Sequence, residues 1–293
     1  MAATDGLCGE PARIEALQPT DAAAVWPLSR EVGWNQLASD WRLMLTLGRA
    51  FAMRDGEGAF IASALVLPLG PALAWISMVI VVQRARGRGL GRRLLLHCLA
   101  DVAAAGVAAG LDATAAGRKL YLPLGFRDLY PLTRWELRRA PPVLEAPAGV
   151  RIVRPQRDAI ARMQAYDRAG SGMCRGEILA ELMTRAPRLA RLAEDRGGRV
   201  VGFALARDGY RATHLGPVVA DTEPIALALM SSAIQGASTA VIADVPDGHR
   251  AIAHWLRTAS GTTARSFTRM LLGENAAIAQ PAAVFALAGP ELG

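Results

Sequence analysis

Residues 59–83 form a long apolar stretch without a single charged residue. Its second part, residues 74–82, is rich in β-branched side chains, a composition that favours a buried strand. A stretch of this length is long enough to cross a bilayer, but Pro68, Gly70 and Pro71 interrupt it in the manner of a turn. The pattern therefore predicts a hairpin of two buried strands and no membrane span.

Apolar periodicity predicts further elements on both sides of this hairpin. Apolar residues at 37, 41, 44 and 45 share one helical face, and a helix is expected to open at Thr20 or Asp21. Strands are predicted at 13–17, 51–54, 60–67, 74–82, 107–113 and 132–137, and further helices at 92–105 and 118–124. Residues 1–12 are expected to be a loose leader, and the strand at 132–137 is expected to close a first domain.

A proline-rich stretch and an internal similarity divide the chain into two halves. Pro141-Pro142 and the Pro-Ala-Gly at 147–149 predict a linker, so that the expected domains are 1–139 and 150–293, joined by 140–149. Leu-Gln-Pro at 17–19 recurs as Val-Arg-Pro at 153–155, and Thr133-Arg134-Trp135 recurs as Thr268-Arg269-Met270, with offsets close to 136 residues. These two landmarks predict a tandem duplication, in which residues 214–219 repeat the strand at 74–82.

Composition limits the class of protein. The length of 293 residues is sufficient for two domains, and 52% hydrophobic content excludes a disordered chain. The net charge of +7 comes almost entirely from arginine, since Lys119 is the only lysine. This bias favours an arginine-rich surface with one phosphate site, and no nucleic-acid partner is expected.

Cysteine usage and the start of the chain indicate the cellular setting. Cys8, Cys98 and Cys174 are far apart and odd in number, which predicts neither a metal site nor a disulfide framework. A reducing cytoplasm is the simplest location for such a chain. The first residues carry no basic-then-apolar secretion signal.

A glycine-rich loop follows the strand at 74–82 and precedes a leucine-rich helix. Strand, glycine turn and helix start in this order form an anion site from backbone N–H groups and the positive end of the helix dipole. Glycines permit close approach to a diphosphate because they lack a Cβ. The spacing of Gly87, Gly89 and Gly91 differs from G-x-G-x-x-G, and no Gly-Lys-Ser/Thr follows.

Arg86, Gly89 and Gly91 instead fill the Gln/Arg-x-x-Gly-x-Gly/Ala signature of the acyl-CoA loop in the GNAT superfamily of N-acyltransferases. Tyr-Leu-Pro-Leu-Gly-Phe at 121–126 resembles the family's closing Tyr-x-x-x-Gly-Phe motif. The chain also resembles a bacterial subgroup in which an active N-terminal domain precedes a distinct GNAT-like domain. The landmarks of that subgroup are matched at residues 33–35, 111–114, 214–217, 244–247 and 285–289.

The resemblance implies an α/β (α+β) fold of two tandem GNAT-like domains, each with a mixed, largely antiparallel central sheet flanked by helices. It implies acetyl-CoA as the acyl donor. The residues implied to bind it are Val79, Val81, Arg86, Gly87, Arg88, Gly89, Leu90, Gly91, Arg92 and Thr114, where Thr114 replaces a common asparagine. Tyr121 stands where the family often places a tyrosine that protonates the leaving thiolate, although the ring can equally serve only for packing.

In the GNAT fold, the chain segment between the first strand and the second usually lines the acceptor pocket. The residues expected to contact the acceptor are Trp34, Asn35, Asp40 and Asp112, whereas Trp41 fits the apolar stripe of a core helix. Acyl transfer to an amine needs no protein nucleophile, because the substrate's own nitrogen attacks. Asp112, Asp40 and Ser77 are all candidates for a general base. Asp244 and Asp247 are candidates for presenting negative charge to a cationic amine, and Asp247 is equally a candidate for a turn with Gly248.

The predicted function is therefore an acetyl-CoA-dependent N-acetyltransferase that acts on a primary amine of a small molecule by direct attack in a ternary complex. The alternatives are a non-catalytic acyl-CoA sensor or interaction module, and a protein N-acetyltransferase. The second half offers Thr-Glu-Pro-Ile-Ala-Leu at 222–227 in place of the loop. Because this stretch lacks glycine and Glu223 would repel a diphosphate, the second domain is expected to bind no CoA.

Overall fold

The computed structural model describes residues 13–275, 278 and 282–293, so the predicted leader and Cys8 lie outside the described residues. The α-helices in this part of the chain are α1 (Ala22–Glu31), α2 (Ala38–Leu47), α3 (Leu90–Ala104), α4 (Ala115–Tyr121), α5 (Ala159–Ser171), α6 (Gly176–Arg185), α7 (Glu223–Ala233) and α8 (Arg250–Thr258). Each predicted helix of the first half is present, and the one predicted at 118–124 begins at Ala115 because Thr114 caps it.

The strands assemble into one continuous sheet. They are β1 (Glu15–Ala16), β2 (Arg49–Arg54), β3 (Phe60–Pro68), β4 (Leu73–Val81), β5 (Ala108–Ala113), β6 (Arg127–Leu137), β7 (Val150–Val153), β8 (Arg191–Asp195), β9 (Val200–Arg207), β10 (Thr213–Ala220), β11 (Val241–Pro246), β12 (Thr262–Leu272) and β13 (Val284–Ala286). Their order is β1-β2-β3-β4-β5-β12-β6-β11-β10-β9-β8-β7, and β13 adds to β10. The predicted mixed, largely antiparallel α/β sheet is confirmed, since only β4–β5 and β10–β11 are parallel.

The apolar stretch at 59–83 is a hairpin, as predicted. β3 and β4 pair antiparallel, and the Leu69 amide closes their turn on the Leu73 carbonyl oxygen (2.9 Å). In the described ranges, no helix is long and apolar enough to cross a membrane.

The last strands of the two halves are exchanged. β6 was expected to close the first domain, but its neighbours are β12 and β11, both from the second half. β12 in turn lies between β6 and β5 of the first half. Sequence alone could not reveal this exchange, because strands of two similar domains carry similar edge patterns.

Two matching ion pairs connect the exchanged strands. Arg134 on β6 forms a bidentate pair with Asp244 on β11 (2.7 and 2.7 Å), and Arg269 on β12 forms one with Asp112 on β5 (2.9 and 2.8 Å). Arg134 and Arg269 belong to the repeated Thr-Arg motif found in the sequence. Each half therefore contributes the arginine that neutralises a buried aspartate of the other half.

Candidate active site

A cleft of about 550 Å³ opens where β4 and β5 diverge. The two strands pair only from Leu73 to Trp75, so the rest of β4 has a free edge toward β5. The cleft is lined by Trp34, Gln36, Ile76, Ser77, Met78, Val79, Val81, Arg86, Gly87, Gly91, Leu111, Asp112, Thr114, Ala116, Gly117, Leu120, Tyr121, Arg134, Arg265, Phe267, Pro290 and Glu291. One end meets the glycine loop, and the other end is formed partly by the second half of the chain.

β4 is irregular in the middle of the cleft. Met78 has a φ of +52°, and the register with β3 shifts at this position. The Ser63 hydroxyl donates to the Met78 carbonyl oxygen (2.8 Å) from the buried side of the strand. This bulge turns the backbone of β4 next to Val79 and Val81, both of which line the cleft.

The glycine loop ends at the first turn of α3. Gly87 and Gly89 have φ of +76° and +72°, where side chains other than glycine are strained, and Gly89 is the N-cap of α3. A Cβ on either glycine would have no atom within 4 Å, so open space lies beside the backbone. The first amides of a helix have no partner inside the helix, and here they face that space. Of the other predicted loop residues, Arg88 and Arg92 are exposed, whereas Leu90 is buried in the core.

Tyr121 and Thr114 line the cleft from α4 and its cap. The Tyr121 hydroxyl makes no hydrogen bond to the described residues, and burial raises the pKa of this phenol to about 12. Thr114 Oγ1 accepts from the Gly117 amide (3.2 Å), which leaves its hydroxyl proton free to donate. A Cβ on Gly117 would come within 3.0 Å of the Tyr121 ring, so the glycine permits this packing.

Two polar side chains at the other end of the cleft are buried without a partner. Gln36 Oε1 and Ser77 Oγ make no hydrogen bond to any described residue, although both residues are more than nine-tenths buried. Trp34 also lines this cleft, while Trp41 lies fully buried in the core and donates to the Ser29 hydroxyl (3.0 Å). Gln36 was not found from the sequence, where nothing distinguishes it from a surface glutamine.

The structure brings Asp112 to the cleft but not Asn35 or Asp40. Both carboxylate oxygens of Asp112 accept from Arg269, and burial raises the pKa of Asp112 against the influence of that arginine. Asn35 binds the backbone of residues 211–212 through its side-chain amide (2.9–3.0 Å), which fastens the two halves together. Neither Asn35 nor Asp40 lines the main cleft, contrary to expectation, and Asn35 lines a neighbouring cavity instead.

Asp40 belongs to a buried ionic network. It accepts hydrogen bonds from its own helix start at the Leu37 amide (2.7 Å) and from Arg185 (2.6 Å), and it forms an ion pair with Arg207 (2.7 Å). Burial works against its charge, but Arg207 and Arg185 hold the pKa of Asp40 below its usual value. Arg207 also pairs with Glu291, which connects this network to the wall of the cleft.

The aspartates considered for the second half do not face the cleft. Asp244 is fully buried and engaged by Arg134. Asp247 accepts from the Thr133 hydroxyl (2.7 Å) in a separate depression. Neither carboxylate lines the main cleft, so the alternative in which they present charge to an amine there is not supported.

Arginines surround the outer part of the end of the cleft that lies away from the glycine loop. Arg265 lines both the main cleft and a neighbouring cavity that also contains Arg134 and Arg211. It makes no hydrogen bond or ion pair with the described residues, and partial burial together with Arg134 lowers its pKa. The described residues include no cluster of His, Cys, Asp and Glu arranged to hold a metal ion.

The second half lacks an equivalent loop. β10 leads through only Asp221 and Thr222 into α7, whose first residues are Glu223 and Pro224. The Glu223 carboxylate accepts from the Ile252 amide near the start of α8 (2.9 Å). The helix start that would face a diphosphate therefore carries an acidic residue and a proline without an N–H.

Comparisons with known proteins agree with this architecture. A family profile described as "Acetyltransferase (GNAT) family" matches residues 16–126, and one described as "Acetyltransferase (GNAT) domain" matches residues 163–286. The uncharacterized N-acetyltransferase YitH of Bacillus subtilis is 23% identical over 226 residues, which cover 77% of this chain and 79% of that protein. The chain belongs to the GNAT superfamily of acetyltransferases and consists of two GNAT domains in tandem.

Solved structures share the fold over the whole chain. A putative acetyltransferase from Pyrococcus horikoshii has a TM-score of 0.77 at 20% identity and covers 100% of this chain and 99% of its own. The tandem GNAT protein from the clavulanic acid biosynthesis pathway has a TM-score of 0.62 at 15% identity and covers 90% of this chain and 100% of its own. The arrangement of two GNAT domains in one chain therefore recurs in other proteins.

Proposed function

We propose that the N-terminal domain is an acetyl-CoA-dependent N-acetyltransferase that acts on a primary amine of a small molecule. The observation that carries this proposal is the continuity of the cleft. It runs from the glycine loop and the start of α3, along the free edge of β4, to a separate polar end. A long donor and a small acceptor would meet in its middle, next to Tyr121.

The glycine loop would hold the donor's diphosphate. The amides of the loop and of the first turn of α3 provide hydrogen-bond donors and a positive dipole end. Arg86, Arg88 and Arg92 add positive charge, and Thr114 would contact the pantetheine arm. The proposal also includes the domain boundaries: an N-terminal catalytic domain at 1–139, a linker at 140–149 and a second domain at 150–293.

Acetyl transfer would proceed by direct attack in a ternary complex. The acceptor nitrogen attacks the thioester carbonyl carbon, and backbone N–H groups near Val79 and Val81 stabilise the oxygen as it gains charge. Collapse of the intermediate breaks the carbon–sulfur bond and forms the amide. The proton lost by the amine balances the proton taken up by the thiolate. Tyr121, held neutral by burial, would donate a hydrogen bond to the departing sulfur.

Charge at the acceptor end favours a small acceptor with few positive charges. Arg265 makes no ion pair with the described residues, and Arg211 lies beside it. Arg134 is neutralised by Asp244, and Glu136 is the one acidic residue among the described residues that line the neighbouring cavity. A polyamine or a lysine-rich protein tail would meet like charge here. An amino acid derivative or an amino sugar fits this end better.

Release of free thiol from acetyl-CoA over a panel of amines tests the proposal. We expect turnover with at least one amino acid derivative or amino sugar and slower turnover with spermidine. Binding of acetyl-CoA without turnover on any amine would instead indicate an acyl-CoA sensor. The absence of both binding and turnover would refute the proposed site.

A further inference from the structure

The opening that the second half forms between β10 and β11 is filled by the chain itself. β13 pairs with β10 at Val218 and Val219, beyond the two residue pairs that join β10 to β11. On the opposite side, the Leu287 amide donates to the Asp244 carbonyl oxygen of β11 (2.9 Å). Residues 284–287 therefore occupy the position that corresponds to the acyl-CoA cleft of the first half.

Close packing stabilises residues 284–287 in this opening. Gly216 on β10 has a φ of +148°, and a Cβ there would overlap the Leu287 carbonyl oxygen. Phe285 and Ala286 are buried in the core of the second half. The second opening thus contains side chains and paired backbone rather than free space.

The 284–293 segment continues from the second opening to the first cleft. Trp75 Nε1 donates to the Pro290 carbonyl oxygen (2.8 Å), and Arg175, held by Asp167, donates to the main-chain oxygen of Gly293. Between these two attachments, Glu291 lines the cleft. Its side chain is fixed by the ion pair with Arg207, which engages only Oε1.

The polar atoms at the acceptor end are mainly hydrogen-bond acceptors. Gln36 Oε1 and Ser77 Oγ are buried without partners among the described residues, and the carboxylate of Glu291, whose Oε1 pairs with Arg207, lines the same cleft. Amide and carboxylate oxygens only accept, and a serine hydroxyl can also accept. A buried polar atom without a partner costs about 1–3 kcal/mol. A ligand ammonium group, which has three N–H donors, would satisfy Gln36 Oε1 and Ser77 Oγ and lie against the Glu291 carboxylate.

We propose that the 284–293 segment replaces acyl-CoA in the second opening and thereby holds Glu291 in an amine-binding subsite of the first cleft, together with Gln36 and Ser77. The subsite binds the acceptor's amino group as an ammonium ion, which gives one proton to solvent before the neutral nitrogen attacks the thioester. This inference rests on the proposed N-acetyltransferase activity. According to this inference, the second domain has a role in acceptor binding, although its own opening is filled.

Ser77→Ala and Gln36→Leu test the subsite without disturbing the fold, because the atoms they remove have no partner. The probe is the panel amine with the highest kcat/KM, measured at saturating acetyl-CoA. We expect each variant to raise KM for this amine about three- to thirtyfold, as for one lost hydrogen bond. The KM for acetyl-CoA and the unfolding temperature should stay unchanged.

Glu291→Gln tests the contribution of the segment itself. The variant should raise the KM of the amine about ten- to a hundredfold, since hydrogen bonds to charged groups are stronger. It should also reduce the preference for the amine over its alcohol analogue as a competitive inhibitor, which a purely structural role would not change. If Glu291→Gln does not fold, Glu291→Asp retains the charge toward Arg207 with a shorter reach, and the same loss is expected.

Glu194→Gln is the matched control, because Glu194 is also a buried glutamate paired with arginine (Arg151 and Arg162) but does not line the main cleft. It should leave the KM of the amine unchanged. An unchanged amine KM in the Ser77, Gln36 and Glu291 variants would overturn the subsite while leaving the acetyltransferase proposal intact. If no amine is acetylated by the parent protein, the proposed function fails and the inference fails with it.

Discussion

Burial controls the protonation of single residues around the cleft. Tyr121 lies among apolar side chains and close to Cys98, and its phenol has a pKa raised to about 12. It therefore remains a hydrogen-bond donor throughout the neutral range. His214, by contrast, is buried on β10 beside Asp244, and desolvation lowers its pKa to about 4. It is neutral in the folded protein under ordinary conditions.

Tyr121→Phe keeps the ring and removes the hydroxyl. We expect acetyl-CoA affinity to survive and turnover to fall by about ten- to a thousandfold, the range for loss of a positioned proton donor. Steady-state kinetics with the best amine of the panel measures both quantities. Unchanged turnover would show that water or another group serves the leaving thiolate.

The lowered pKa of His214 predicts that the stability of the protein depends on pH. The unfolded chain binds a proton at this residue below pH 6.5, whereas the folded protein does so only near pH 4. Neutral His214 therefore contributes its full share of the free energy of unfolding above pH 6.5. This share, about 3 kcal/mol, is lost as the pH falls from 6.5 toward 4. Urea unfolding at pH 7 and pH 4.5 measures it. His214→Gln should reduce the difference, whereas the control His254→Gln, at an exposed position, should not.

At the scale of elements, the junction of β4, the glycine loop and α3 determines where a donor can bind. The strand, the loop and the helix were all predicted from the sequence, because apolar runs and glycines act locally. The bulge at Met78 was not predicted, since the sequence around a residue other than glycine at positive φ has no recognisable pattern. Gln36, Pro290 and Glu291 were missed for a related reason: only long-range packing brings them to β4.

Gly89→Glu should weaken acetyl-CoA binding more than about a hundredfold. The added side chain occupies the space beside the loop amides, and its carboxylate repels the diphosphate, which together cost about 3 kcal/mol or more. Gly106→Glu is the matched control, because Gly106 follows the other end of α3, has a φ of +66° and also has open space around it. Thermal stabilisation by acetyl-CoA should disappear in the first variant and persist in the second. Equal stabilisation of both would locate the donor elsewhere.

At the scale of the whole molecule, the exchange of β6 and β12 makes the two halves interdependent. The two tandem GNAT domains could be predicted from the repeats and motifs of the sequence, but the exchange could not. The repeated arginines Arg134 and Arg269 marked the exchanged strands, yet nothing local shows that each arginine pairs with the opposite half. The sequence therefore predicted two domains, and the structure adds that they share strands.

Cleavage of the linker tests this interdependence. A protease site inserted within residues 140–149 should be cut without separating the fragments, because β6 pairs with β11 and β12 along most of its length. The cut protein should elute at its native size and retain acetyl-CoA binding. Fragments that separate under native conditions would contradict the exchange.

The central claim is that one chain binds one acyl-CoA, in the N-terminal domain, while the chain's own 284–293 segment fills the second opening. Titration calorimetry with a non-hydrolysable acetyl-CoA analogue measures the stoichiometry directly on the full chain. The account predicts a value near one for the parent protein and no binding for Gly89→Glu. A stoichiometry near two, or one site that survives in Gly89→Glu, would contradict it.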